Sequence, residues 1–478
     1  MRYYTLLPCL ALARAATIPL RARQDAGNQK MVVAHFMVGN TFPYTPQDWA
    51  DDIKLASNSG LDGFALNVGP DDFQRTQTKA AFQAAQDSGP TFKLFFSLDM
   101  SVLPCQTADD GASLRQRVLD FATHPNHLQF NGKAFVSTFA GESCTFGQGS
   151  PAAGWAAQFA AHPDLKGKIH FVPSFFIDPA TFNKFAGTMD GAFGFNSGWP
   201  IQVTNDFAKG VTSNFAPTGD DGANALNKFI GATDTDTQQI QSLASFAPAG
   251  QRLTYMAAVS PWFFTHFGAN SFNKNFIFLA DQHLFARRWQ NLIKLRDQVD
   301  LVEIVTWNDY GESHYIGPIK GALPPGSEVW TNGFPHEAIL GLTKHFATQF
   351  KSGQEPAIDQ DQIFMWSRPH PTNAQAPDPV GPPTTFQLTQ DVAWAVVLAT
   401  APGSVTLSTD QANTKQFDVK AGVNLLSVPI VPGGTLNAQL NRGGQTVVNL
   451  ATPGKDFTFD GAPKTFNYNI YVAKAPFS

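Results

Sequence analysis

LVEIVTWNDYGESHY, residues 301–315, opens as an apolar run and closes on two acids, Asp309 and Glu312, set among Trp307, Tyr310, His314 and Tyr315. Read alone, WNDYG is a turn in which Asp, Asn and Gly act as turn formers. Read as the last of a series, LVEIVTWND (301–309) is a strand buried on both faces, and counting its companions decides the fold. Working back, similar runs stand at 252–261 (RLTYMAAVSP), 191–198 (GAFGFNSG), 169–176 (IHFVPSFF), 133–141 (KAFVSTFAG), 92–99 (FKLFFSLD), 61–68 (LDGFALNV) and 31–39 (MVVAHFMVG). Helix-like segments separate most of them. Thr45-Pro46-Gln47-Asp48 supplies a cap, a first-turn proline and an acid three residues after the cap, with Gly60 as the stop. The stretch 281–298 carries an apolar stripe at Leu284, Trp289, Leu292, Ile293 and Leu295. Eight strands with helices between them predict an α/β fold, a (β/α)8 TIM-type barrel over residues 30–355 that ends in a helix at 335–353.

The texture then changes. WSRPHPTNAQAPDPVGPP (366–383) reads as a Pro-rich connector, because proline donates no backbone N–H to a ladder. Beyond it, short alternating runs split by PG, GG and NRGG turns predict a smaller all-β sandwich at 384–478. At the other end, Arg2, an apolar stretch and small residues around Ala13 to Ala16 have the layout of a secretory signal peptide over 1–16, with a short pro-segment to about 23. A secreted protein, extracellular or in a cell wall, is expected. Cleavage would leave Cys105 and Cys144, a pair suited to a disulfide in an oxidising compartment; two buried thiols are the alternative. Two cysteines cannot build a zinc site alone, so no metal and no cofactor are expected. With 43% hydrophobic and 15% charged residues, 42 Phe and a net charge of −5, the chain reads as folded. It shows no basic footprint for nucleic acid or an anionic membrane, and a monomer is expected.

A barrel puts its chemistry at the C-terminal ends of its strands. That rim collects Asn67 with Asp71 and Asp72, Asp99, Glu142, Asn196 with Trp199, Trp262, and the acids of 306–315. Two carboxylates facing a sugar bond are what glycoside hydrolysis needs, one protonated to donate to the leaving oxygen and one ionised to activate water or attack carbon. A metal clip is the competing reading of the same residues; it needs a third hard ligand, for which only His314 stands close. Asp71 and Asp99 could bind sugar hydroxyls or cap the following helices, and Asp72 is read as a cap. Glu142 is the runner-up acid. Trp199, Trp262, Trp307 and Tyr315 suit stacking on sugar faces, with Tyr310 and His314 beside them. His35, in the middle of the first strand, is read as an interior histidine. The segment from Trp199 to about Thr233 is either a functional loop or a tolerated insertion.

Three separated stretches, VVAHFMVGNTFPYTPQDWADDIKLASNSGLDGFALNVGPDD, SPWFFTHFG and VTWNDYGESHYIGP, resemble the fungal α-1,3-glucanases, or mutanases, of glycoside hydrolase family seventy-one. The resemblance implies hydrolysis of α-1,3-glucan with inversion. It places the acids of the family's W-N-D-x-x-E motif on Asp309 and Glu312, and the aspartate of L-N-x-G-x-D on Asp71. Inversion requires carboxyl groups roughly 6.5–9.5 Å apart. Glu312 is expected as the acid and Asp309 as the base, roles that sequence alone does not separate. Many relatives carry a Ser/Thr-rich linker and a glucan-binding module after the catalytic part; this chain stops at Ser478, so weaker binding to insoluble glucan is expected. A non-hydrolytic glucan-binding protein on the same barrel, or a retaining glycosidase or transglycosylase on another glucan, are the alternatives.

Overall fold

The computed structural model describes residues 30–212 and 225–476. The signal peptide and pro-segment expected at 1–23 lie outside the described residues, as does part of the long loop after Trp199. No helix among the described residues is long and apolar enough to cross a membrane.

The fold is mixed α/β and centres on a curled sheet. In chain order its elements are β1 (Met31–Met37), α1 (Pro46–Asn58), β2 (Gly63–Val68), α2 (Asp72–Asp87), β3 (Lys93–Asp99), α3 (Ala108–Leu119), β4 (Gln129–Phe130), β5 (Lys133–Phe139), α4 (Pro151–Trp155), β6 (Ile169–Phe171), β7 (Gly191–Gly194), α5 (Asn205–Val211), α6 (Asp234–Phe246) and β8 (Thr254–Val259). Next come a hairpin of β9 (Phe263–His266) and β10 (Asn275–Phe278), then α7 (Leu284–Lys294), β11 (Leu301–Ile304), α8 (Glu328–Thr331) and α9 (Leu340–Ser352). Hydrogen-bonded neighbours run β4-β5-β3-β2-β1-β11-β8-β7, with β6 also paired to β5. Every pair but β4–β5 is parallel. Each of the eight runs expected as strands carries one of these strands. The observed strands are shorter: β6 ends before Pro173, which cannot donate to a ladder, and Phe195–Gly198 turns into a 3-10 helix.

Local chemistry sets the helix starts as expected. Thr45 accepts from the Asp48 amide while the Asp48 carboxylate accepts from the Thr45 amide, and Pro46 fills the first turn. The strands are near-continuously apolar because the sheet is covered on both sides, and all six residues of β2 are buried.

The C-terminal part forms two four-stranded antiparallel sheets. One is ordered β16-β13-β12-β19, with β12 (Gln362–Ser367), β13 (Val392–Ala399), β16 (Gly422–Pro429) and β19 (Tyr471–Ala475). The other is ordered β15-β14-β17-β18, with β14 (Gly403–Ser408), β15 (Thr414–Val419), β17 (Asn437–Arg442) and β18 (Gln445–Ala451). Trp366 and Ser367, expected at the head of the connector, instead finish β12, which pairs with β13. The run VAWAVVLA of β13 is buried throughout because its sheet is covered twice. Ala393, Ala395 and Val397 join the apolar cluster shared with the second sheet, while Trp394, Val396 and Leu398 join the cluster of the α/β part. Buried polar contacts cross the same boundary. Arg368 pairs with Asp281, His283 Nε2 donates toward Leu426 O at 2.9 Å, and His336 Nε2 toward Ile470 O at 3.0 Å.

Candidate active site

Strand β11 ends at Ile304, and residues 306–309 beyond it are held at the sheet's carboxyl end by bonds that imitate a ladder. The Trp307 amide donates to His35 O at 2.7 Å. The Asn308 side-chain amide accepts from the Met37 N–H at 2.7 Å and donates to Met37 O at 3.1 Å, extending the β1–β11 ladder with a side chain. Thr306 Oγ1 accepts the Asp309 amide at 2.8 Å. These bonds fix which way 309–312 faces: Asp309 and Glu312 line a cleft of about 330 Å³ with His35, Met37, Asn67, Asp99, Phe139, Phe195, Phe267, Phe272 and Lys274 among the other walls.

Within that cleft the two acids differ in surroundings. Glu312 Oε1 accepts from Lys274 Nζ at 3.0 Å, and Oε2 lies 3.1 Å from His314 Nε2. Asp309 Oδ2 is 3.8 Å from the same imidazole nitrogen. Burial pushes the Asp309 carboxyl up, and the Glu312 charge adds to it, to about 6. Burial acts on Glu312 in the same direction but loses to the hydrogen bond and charge of His314 and to Lys274, which bring it down to about 2. These surroundings push the two groups apart, Asp309 toward its protonated form and Glu312 toward its charged form. One donor atom from each of Asp309, Glu312 and His314 lies within 4.8 Å of the others. That cluster could take a cation, and the chain already supplies one in the Lys274 ammonium.

The two carboxyl groups also stand close together. With nearest oxygens within 4.8 Å and a C–O bond of about 1.2 Å at each end, the carboxyl carbons stand at most about 7 Å apart. This range spans the roughly 5–5.5 Å of a retaining pair and only the lower edge of the 6.5–9.5 Å of an inverting one.

Of the expected sugar-binding residues, Asn67 and Asp99 line the cleft, and Asp99 Oδ1 is engaged by Ser101 N at 3.1 Å and Ser101 Oγ at 2.5 Å. The aromatic residues do not form the expected platform. Trp307 is fully buried, against Phe64 at 5.2 Å and under Gly317, where a Cβ would stand 2.6 Å from the indole. Tyr310 donates to Pro318 O and Tyr315 to Phe334 O, both from buried positions. Trp199 and Trp262 are buried behind the acids: Trp199 donates to Trp262 O at 3.1 Å and meets His314 edge-on at 5.3 Å, while Trp262 donates to Ser313 O at 2.5 Å. Large flat side chains next to the acid motif found more area to bury inward than across the cleft. Asp71 is exposed at the start of α2, accepts from Gln74 Nε2 at 2.8 Å and does not line the cleft. Asp72 sits in the first turn of α2, with no capping bond at that helix start. Glu142 accepts from the Phe176 amide at 3.2 Å, outside the cleft lining. Cys105 and Cys144 form a disulfide that joins the loops after β3 and β5.

Sequence reasoning misses four contributors, Lys274, Glu303, Phe267 and Phe272. Lys274 lies between β9 and β10, at the end of a loop, FGANSFNK (267–274), whose turn residues Gly268, Asn270, Ser271 and Asn273 mark the turn but not the lysine's place in the cleft. Glu303 bonds His35 Nδ1 at 2.6 Å on the cleft floor, fully buried, with its other oxygen unpartnered among the described residues. It is legible as the one charge in LVEIV. The cleft's exposed ring is Phe272, 58% accessible, packed edge-on to Phe267 at 4.7 Å.

Residues 28–478 match the model of glycosyl hydrolase family 71. The chain is 36% identical to a glucan endo-1,3-alpha-glucosidase of Schizosaccharomyces pombe, over 93% of this chain and 94% of that one. It is 32% identical to a mutanase of Penicillium rubens, over 93% and 88%, and 30% identical to an ascus wall endo-1,3-alpha-glucanase of S. pombe, over 86% and 88%. Among solved structures it is similar to a GH99 endo-alpha-mannosidase of Bacteroides thetaiotaomicron, at 11% identity and a TM-score of 0.47, over 68% of this chain and 99% of that one. The chain belongs to glycosyl hydrolase family 71.

Proposed function

We propose that this protein is a secreted hydrolase of α-1,3-glucan, endo-acting, and that Asp309 and Glu312 are its catalytic pair. The observation that carries the reading is the geometry of two carboxyl groups in one cleft, both held by His314, with Lys274 on Glu312 alone, which favours a neutral Asp309 beside a charged Glu312. The names of the three relatives support the substrate. The reading also takes the curled sheet as a closed (β/α)8 barrel and the two antiparallel sheets as a β-sandwich packed on it. The Asp190 and Phe193 amides donate to Phe171 O and Pro173 O, at 2.8 and 2.9 Å, and so support closure between β6 and β7.

In the reaction, Asp309 delivers its proton to the glycosidic oxygen as the bond to the anomeric carbon breaks. Glu312 takes a proton from the water that attacks that carbon from the opposite face, which inverts the anomer. His314 holds both carboxyl groups from behind and is itself braced by Trp199. Asn67 and Asp99 face the hydroxyls of bound sugars, and Phe272 supplies an apolar surface.

A spacing of at most about 7 Å also admits one second reading, retention, in which Glu312 attacks the anomeric carbon itself. The anomer of the first product, followed by NMR, separates the two. The hydrolase reading is tested with insoluble α-1,3-glucan: reducing ends are expected from the wild type, released about 10²–10⁴-fold more slowly by Asp309→Asn or Glu312→Gln. Absence of reducing ends from the wild type, or variants that match it, would overturn the assignment.

A further inference from the structure

Glu312 sits partly exposed in a cleft beside a second acid, where repulsion and burial both favour its protonation. The group that opposes this from outside its own loop is Lys274, 3.0 Å from Oε1. Lys274 does not belong to the curled sheet. It lies just before β10, and its carbonyl accepts the Phe267 amide at 2.6 Å to close the hairpin turn. From inside, the Phe264 amide donates to the Glu312 carbonyl at 3.1 Å, so hairpin and acid loop are bonded directly.

From outside, the hairpin is gripped by the Pro-rich connector. His266 Nε2 lies 2.8 Å from Asp378 Oδ2 with both side chains almost fully buried, and His266 Nδ1 lies 2.8 Å from Asn275 Oδ1. Thr384, the residue just past the connector, donates its amide to Asn275 O at 3.0 Å and accepts the Ile277 amide with its carbonyl at 3.1 Å, an isolated parallel bridge to the hairpin. A segment that reads as a spacer between two units therefore clamps the loop that carries the lysine.

We propose that Lys274 is a positioning residue of the acid pair, keeping Glu312 the charged, proton-accepting member, and that the connector's Asp378–His266 clamp holds it in place. The inference rests on the catalytic reading of Asp309 and Glu312. All the charged groups around the contact enter it: His314 and Asp309 on the acid loop, His35 on β1 facing Asp309, and Asp99 at the end of β3 facing Lys274.

The test is the titration of Glu312 by carboxyl carbon NMR in substrate-free protein, beside the pH profile of kcat/KM, for the wild type, Lys274→Met, Lys274→Arg and Asp378→Ala. An opposite charge at this distance depresses a carboxyl by roughly 1–3 units; half of the lysine side chain is open to solvent, so the lower end applies. Lys274→Met is expected to raise the Glu312 midpoint and the acid limb together by about one unit, Lys274→Arg to restore both, and Asp378→Ala to give a smaller shift in the same direction. An unmoved Glu312 midpoint in Lys274→Met, or an arginine variant that behaves like the methionine one, overturns the role of Lys274. An unmoved midpoint in Asp378→Ala overturns the clamp. The NMR titration needs no turnover, so a wild type inert on α-1,3-glucan would sink the hydrolase reading and leave this result standing by itself.

Discussion

Two ion pairs in this molecule are built from the same chemistry and serve opposite ends. Arg288 of α7 and Asp236 of α6 are fully buried, and the guanidinium spends all five of its N–H groups: two on Asp236 at 2.6 and 2.7 Å, and one each on Ala258 O, Ala232 O and Ser197 Oγ at 2.9 Å. Asp236 also accepts the Tyr255 hydroxyl at 2.9 Å. Nothing is left over, so the pair fixes helices to strands and cannot respond to a ligand. Lys274 and Glu312 share a single contact at the mouth of a cleft, with side chains 52% and 22% accessible. Their unused hydrogen-bonding capacity faces the cleft. Saturation makes an ion pair structural, and incompleteness makes it available for chemistry.

The largest break in this comparison comes from the open pair's neighbourhood. Glu312→Gln or Asp309→Asn is expected to lower kcat by about 10²–10⁴-fold, measured on α-1,3-glucan, with the fold intact by circular dichroism. The saturated pair should do the reverse: Arg288→Met leaves a buried carboxylate uncompensated and is expected to cost about 3–5 kcal/mol by denaturant titration, with kcat per folded molecule unchanged. Removing both charges, as Arg288→Met with Asp236→Leu, should recover most of that loss, which a thermal melt of the double variant will read.

A smaller effect separates stability from function at the same residue. The Asp309 carboxyl is raised in the folded state, to about 6 against about 3.9 unfolded. Folding is therefore penalised as pH rises from the unfolded value through the folded one, and the penalty is full above about 6. Asp309→Asn removes it, so the inactive variant should be more stable than the wild type by about 1–2 kcal/mol at pH 7, with the gain fading below about pH 4. By the same values, kcat/KM of the wild type should fall on the alkaline side with a midpoint near 6, as Asp309 loses the proton it must donate.

Much of the fold is legible in the sequence, because its signals are local. Each of the eight strand runs carries a strand, since a sheet covered on both faces demands continuous apolar sequence. The Thr45–Asp48 capping box forms as its spacing requires. The acid pair is legible from its address: the end of a buried strand, in a motif shared with a family. The orientation of the aromatic rings is not. Trp307, Tyr310 and Tyr315 alternate with the acids along one segment, and only the packing around Gly317 and the Asn308 bond to β1 decide that the rings turn inward while the carboxyl groups turn out.

By itself, the sequence determined the eight parallel strands of the sheet (but not the added β4), the change of texture after residue 355, and the two carboxyl groups brought together at 309 and 312. Periodicity and spacing carry such information because they act within a few residues. The tertiary structure decided the different surroundings of the two acids, with Lys274 and His314 bonded to Glu312, and which rings see the cleft. It also decided that a proline-rich connector reaches back to grip the hairpin. Protonation depends on charges gathered from separate elements and on burial, both properties of folded neighbours rather than of the chain's order.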